Sequence, residues 1–74
     1  MATYYIGADV HSNNIEMAIL NRKKIVGRHS IRTSVSSVLE VLTTLSGKKH
    51  IAIEEGPMSG WLYRNIHTKV ERFV

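Results

Sequence analysis

Three acidic residues stand directly after apolar runs of the chain. Asp9, the only aspartate of the sequence, ends the first of these runs. Glu54 and Glu55 follow the run Ile51-Ala52-Ile53. Carboxylate oxygens are hard ligands that Mg²⁺ and Mn²⁺ prefer, and two such ions can hold the attacking and leaving oxygens of a phosphodiester displacement. The acids therefore indicate a metal site that His11 could also approach. The alternative is that Asp9 caps the following turn, that the glutamates are solvated and that His11 is a turn residue.

The alternation of side chains along a strand separates the two glutamates. Successive side chains of a strand point to opposite faces, so Glu54 shares a face with Ala52 and Glu55 lies on the other face. In the first apolar run, Asp9 shares a face with Gly7, and both Gly7 and Ala52 are small. If these two strands are parallel neighbours, Asp9 and Glu54 meet at the carboxyl edge of a sheet, where open α/β sheets place their sites.

The elements that must position these acids begin with three strands. Apolar runs and β-rich composition predict strands over Tyr4–Val10, Ile15–Leu20 and Lys24–Ile31. The connections between them are short, which favours an antiparallel meander.

A helix, a strand and a second helix follow. Apolar residues at helical spacing predict a helix from about Ser34 to Ser46, with Thr33 or Ser34 as its N-cap and Gly47 as a left-handed C-cap. A strand over His50–Glu54 then lies parallel to one of the first three, because a helix connects them. A second helix covers Met58 to Lys69, and Glu71–Val74 could begin another strand.

The composition bounds the kind of protein. Seventy-four residues make one domain at most, with a net charge of +4 and without cysteine. Disulfides and Cys-ligated zinc are therefore excluded. No apolar run approaches the ~20 residues of a membrane span, and the first residues lack the features of a signal peptide. We expect a cytoplasmic α/β domain without a membrane partner.

Half of the ten basic residues fall within eleven positions: Arg22, Lys23, Lys24, Arg28 and Arg32. One interpretation is a patch that contacts nucleic-acid phosphates. The other is that the third strand forms an edge of the sheet and that its charges block edge-to-edge pairing. Both interpretations stay open.

Two segments resemble motifs of insertion-sequence transposases of the DEDD type, whose catalytic domain is similar to RuvC resolvases and has the ribonuclease H-like fold. Tyr5-Ile6-Gly7-Ala8-Asp9-Val10-His11 resembles their opening Gly-x-Asp-x-His strand. Ile51-Ala52-Ile53-Glu54-Glu55-Gly56, followed by Trp61-Leu62-Tyr63, resembles their second acidic motif. The order β-β-β-α-β-α is similar to the first half of that fold, so the resemblance implies a partial ribonuclease H-like fold over residues 1–74.

The resemblance also implies a function. Asp9 and Glu54 match the first and second catalytic acids of the family, which hold Mg²⁺ or Mn²⁺ for cleavage and transfer of DNA strands, in some cases with a guide RNA. Glu55 matches a non-catalytic position, although many members have Glu-Ala-Thr-Gly where this chain has Glu54-Glu55-Gly56-Pro57, which keeps Glu55 as an alternative. The third and fourth acids are expected beyond Val74, so we expect these 74 residues to be the N-terminal half of such a domain and to be inactive alone.

Two other functions are compatible with the same residues. One is a nucleotide-binding segment of the actin-like kinase and chaperone class, although Val10-His11-Ser12-Asn13-Asn14 has no glycine to hold a phosphate. The other is a non-catalytic module that dimerises through an exposed strand edge.

Overall fold

The computed structural model describes residues 2–54 and 56–73. Over these residues the chain forms one five-stranded mixed sheet and two α-helices. The elements are β1 (Ala2–Val10), β2 (Asn14–Asn21), β3 (Lys24–Arg32), α1 (Val35–Thr43), β4 (Gly47–Ile53), α2 (Ser59–Ile66) and β5 (Arg72–Phe73). A 3-10 turn at His67–Lys69 follows α2.

The predicted antiparallel meander is confirmed. β1 pairs antiparallel with β2, and β2 pairs antiparallel with β3. A two-residue turn, Arg22-Lys23, joins β2 to β3, and both residues have positive φ, at 52° and 65°. Positive φ at both central residues is what a type I′ hairpin turn requires, and that turn matches the right-handed twist of the strands. The register therefore starts from the pair Asn21↔Lys24.

The prediction that the fourth strand lies parallel to one of the first three is confirmed as well, and its partner is β1. α1 carries the chain over the sheet, and β4 lies parallel to β1 from Ala2↔Gly47 to Ala8↔Ile53. The strand order is β3-β2-β1-β4-β5, which puts β1 in the centre and β3 at one edge. The short β5 pairs parallel with β4.

Both helices pack on one face of the sheet. The buried side chains form a single cluster that joins the sheet to α1 and α2: Ile6, Ala8, Ile15, Met17, Ile19, Val38, Val41, Leu42, Ile51, Leu62 and Ile66. The alternate residues of the same strands lie on the opposite face, which we call the open face. It includes Thr3, Tyr5, Gly7 and Asp9 of β1 with their cross-strand neighbours Leu20, Ala18, Glu16, Lys48, His50 and Ala52, and it continues onto β3. No helix in the described ranges packs over the open face.

The first helix differs from its prediction at the C-terminal end. Of the two predicted N-caps, Thr33 and Ser34, the structure has Ser34, whose Oγ accepts a hydrogen bond from the Ser37 backbone N–H at 3.2 Å. The helix ends at Thr43 with Thr44 as the C-cap, so the prediction that Gly47 is a left-handed C-cap is wrong. Gly47 is the first residue of β4, where an added Cβ would collide with the Ala2 carbonyl oxygen. The glycine is needed for close approach of two strands, a requirement that does not show in helical periodicity.

The second helix and the last strand are close to their predictions. α2 spans Ser59–Ile66. The last three residues of the predicted helix, His67–Lys69, form the 3-10 turn instead. β5 occupies Arg72–Phe73, inside the segment predicted to begin a strand, and Val74 lies outside the described residues. Within residues 2–54 and 56–73, no helix is long and apolar enough to cross a membrane.

Candidate metal site in a groove of the open face

The register of β1 and β4 brings Asp9 and Glu54 to the same edge of the sheet. Gly7 pairs with Ala52 and Ala8 pairs with Ile53, so one further step along both chains reaches Asp9 and Glu54. Neighbouring strands are about 4.8 Å apart, and both acids are exposed. The sheet therefore brings the two acids together at the carboxyl ends of two parallel strands.

A groove of about 490 Å³ runs beside the two carboxylates. We call it the acid groove, and its lining includes Gly7, Asp9, Glu16, Ala18, Arg28, Ala52 and Glu54. Its floor is a cross-strand row of small residues, in which Gly7 pairs with Ala18 on one side and with Ala52 on the other. A Cβ added at Gly7 would meet nothing within 4 Å, so the space is open above this row.

His11 contacts the Asp9 carboxylate. Its Nε2 lies 3.1 Å from Asp9 Oδ2, with side chains 56% and 58% exposed. Two hydrogen bonds hold the loop that carries His11. The His11 backbone N–H donates to the Asn14 carbonyl at 2.9 Å, and the His11 carbonyl accepts from Thr33 Oγ1 at 2.7 Å. An exposed pair of this kind contributes little to stability. Its effect is to orient one oxygen of Asp9.

Glu16 is an acid of the groove that the sequence interpretation missed. It is the direct cross-strand partner of Asp9 on β2. Its Oε1 accepts hydrogen bonds from Asn14 Nδ2 and Ser30 Oγ, both at 2.8 Å, so Oε2 is the oxygen outside these two bonds. The signal was present in the sequence, since a short turn after Val10 implies a pairing that places Glu16 opposite Asp9.

The acids of the groove match the ligand chemistry of Mg²⁺ and Mn²⁺ but do not form a closed cage. Asp9 and Glu54 offer hard oxygen donors, and Mg²⁺ is commonly bound by one or two carboxylates together with waters and substrate phosphates. Among the residues that the structure describes, no group of three or more His, Asp or Glu side chains is arranged to hold a metal ion. Glu55, the alternative second acid, lies outside the described residues. The described residues therefore fit an open metal site that needs further ligands.

The five clustered basic residues divide between the hairpin and the sheet edge. Arg22 and Lys23 form the turn and Lys24 follows it, while Arg28 and Arg32 lie further along β3. All five are exposed, and β3 is an edge strand, which is the position that the edge-blocking interpretation assumes. Arg28 also lines the acid groove. Arg28 can therefore both block edge pairing and offer positive charge next to the carboxylates.

No protein-family model matches this chain, and no curated protein matches it.

Proposed function

We propose that the acid groove is a divalent-metal site for the cleavage and transfer of DNA strands, in a ribonuclease H-like domain of the DEDD-transposase kind. The observation that carries the proposal is the position of Asp9 and Glu54, which lie at the carboxyl ends of two neighbouring parallel strands and line one groove. Asp9 lies in the segment Tyr5–His11 and Glu54 in the segment Ile51–Gly56, which are the two segments that resemble motifs of that family.

Asp9 and Glu54 have the role of metal ligands in this proposal. Their carboxylate oxygens hold Mg²⁺ or Mn²⁺, and the bound ion supplies Lewis-acid activation of a phosphate. His11 fixes the orientation of the Asp9 carboxylate through its contact with Oδ2. Arg28, on the wall of the same groove, is placed to contact a phosphate that enters it.

The chain supplies part of the acid set in this proposal. A pair of ions needs more carboxylates than two, and the sequence holds a single aspartate. We therefore expect the purified chain to bind a metal weakly and to leave DNA uncut. Metal-dependent nicking of duplex or branched DNA that Asp9→Ala abolishes would show instead that these residues suffice.

Paramagnetic broadening by Mn²⁺ tests the metal site. In ¹H–¹⁵N spectra of the wild-type chain, Mn²⁺ should broaden first the amides around Asp9 and Glu54, because the effect falls steeply with distance from the ion. Asp9→Asn and Glu54→Gln should each remove the broadening, and Glu40→Gln, which changes an exposed glutamate of α1, should retain it. Broadening that is centred elsewhere, or that survives both groove variants, refutes the site.

Fluorescence anisotropy with labelled duplex DNA tests the nucleic-acid partner. Each lost phosphate contact should lower the salt dependence of binding by about 0.9 in the log–log slope. Arg28→Ala and Arg32→Ala should each show this decrease, whereas Lys69→Ala, which removes an exposed charge of the 3-10 turn, should not. Equal effects of all three variants would mean that net charge alone drives the binding.

A further inference from the structure

Tyr5 is a large side chain that projects from the open face. It is 52% exposed, although it lies on the central strand of the sheet. Its ring meets the ring of His50 edge-on, with centroids 5.1 Å apart, and this contact holds the ring in place. A fixed, half-exposed aromatic ring loses little conformational freedom when it is covered, which is typical of interface anchors.

The open face also contains a hole that matches this ring. Gly7 stands two residues after Tyr5 on the same face, with Ala18 and Ala52 on its two sides. These three residues form the floor of the acid groove, and the space above Gly7 is open. The projection and the hole are therefore about 7 Å apart on one strand.

A projection and a hole side by side are self-complementary under two-fold symmetry. If the axis lies between two stacked sheets, perpendicular to β1 and midway between Tyr5 and Gly7, each Tyr5 falls over the Gly7 of the other copy. Such an isologous contact uses the same patch twice. Aligned sheets pack about 10 Å apart, a gap that a tyrosine side chain can fill.

The charges of the open face agree with this arrangement. The row beyond Gly7 holds Asp9 and Glu54, and the row before Tyr5 holds Thr3 and Lys48, which are paired across β1 and β4. The same axis places Glu54 of one copy over Lys48 of the other. Opposite charges then face each other twice in the dimer.

We propose that two copies of this chain associate through their open faces, with antiparallel strands and with each Tyr5 in the hole above the other copy's Gly7. The face measures about 19 Å across four strands and about 23 Å along β4. This is smaller than the ~800 Å² per partner of a standard stable interface. Because the face is this small, we expect a weak and reversible dimer. It covers Asp9 and Glu54, so a dimer and a filled metal site exclude each other.

Sedimentation velocity between about 10 µM and 1 mM tests the association. The wild-type chain should shift from monomer to dimer over this range. Tyr5→Ala should raise the dissociation constant at least tenfold, as is typical of a buried tyrosine anchor. Tyr63→Ala, which changes a similarly exposed tyrosine of α2, should leave it within about twofold, as is usual for residues outside an interface.

Gly7→Val provides a second test, which adds a side chain instead of removing one. The added side chain fills the hole, and because nothing lies within 4 Å of the Cβ position, the monomer can accept it. This variant should keep the wild-type circular dichroism spectrum and remain monomeric. Gly56→Val is the matched control, since its Cβ position is equally open and lies outside the sheet.

A charge exchange tests the orientation of the two copies. Lys48→Glu and Glu54→Lys should each weaken the dimer, and the double variant should restore it. A chain that stays monomeric to 1 mM overturns the proposal. If the Tyr5 and Gly7 variants both dimerise as the wild-type chain does, the proposal is overturned in favour of pairing through a strand edge. The test needs no metal or DNA, so its failure leaves the proposed function standing.

Discussion

The turn between β2 and β3 offers a sharp test of the backbone conformation. Arg22 and Lys23 both have positive φ, although neither is a glycine. An L-residue in the left-handed region costs roughly 1–2 kcal/mol, whereas glycine adopts it without a steric penalty. We therefore predict that Lys23→Gly stabilises the protein.

The expected gain follows from two opposing effects. Glycine removes the steric cost at Lys23, but it also raises the conformational entropy of the unfolded chain, at a cost of about 0.5–1 kcal/mol. The net stabilisation is about 0.5–1 kcal/mol, which corresponds to a rise in Tm of about 3–6 °C for a domain of this size. Thermal and urea unfolding followed by circular dichroism measure both quantities.

Lys24→Gly is the matched control. It also removes one lysine, but Lys24 is the first residue of β3 and has no positive φ. Glycine in a strand should destabilise by about 0.5–1 kcal/mol, so the two variants should change Tm in opposite directions. If Lys23→Gly destabilises the protein as much as Lys24→Gly does, the left-handed turn and the register that starts from it are incorrect.

Three further predictions concern the helix cap, the strand contact and the last strand. Ser34→Ala removes the acceptor for the Ser37 backbone N–H and should lower the free energy of unfolding by about 1 kcal/mol in urea melts. Gly47→Ala forces a Cβ against the Ala2 carbonyl oxygen and should lower Tm by several degrees. Each kcal/mol lost from the free energy of unfolding lowers Tm by about 4–8 °C in a domain of this size. Glu71 accepts a hydrogen bond from the Lys49 backbone N–H at 2.8 Å, which holds its pKa below the ordinary value of 4.5. The ionised carboxylate thus favours folding above about pH 4.5, and this contribution is lost as the pH falls through the lowered pKa. Glu71→Gln should therefore destabilise at neutral pH, by an amount that shrinks below pH 4.5.

Each of these predictions has a control in the same chain. Ser36→Ala changes an exposed serine inside α1 and should cost less than Ser34→Ala. Gly7→Ala places a methyl group in open space and should be tolerated by the monomer. Glu40→Gln removes an exposed carboxylate of α1 and should leave the acid limb of the stability profile unchanged. If a variant and its control change stability equally, the contact that the variant alters does not make the contribution assigned to it.

Much of the fold was predictable because its signals are local. Apolar runs and alternation identified the strands and the residues that share a face, as with Ala52 and Glu54. Helical spacing identified α1, and its N-cap at Ser34 was read from a side chain that bonds a backbone N–H three residues away. Gly47 was misread because its role depends on Ala2, which is 45 positions earlier in the chain.

The candidate site was predictable in part. Asp9 and Glu54 could be selected from their positions after apolar strands, and the face of each followed from alternation. Glu16 was missed because it lies inside a strand rather than at the end of one, although the predicted pairing of β1 with β2 places it opposite Asp9. The contact between His11 and Asp9 likewise depends on the path of the loop, which hydrogen bonds to Asn14 and Thr33 fix.

By itself, the sequence determined which residues are strand, helix and turn, which side chains are apolar, and which acids end a strand, because these properties depend on neighbours a few positions away. Only the tertiary structure decided that β4 lies beside β1 in the register that brings Asp9 to Glu54. It also decided that both helices cover the same face. Pairing and layering come from contacts between residues far apart in the chain, and those contacts left Tyr5, Gly7 and the acids together on the open face.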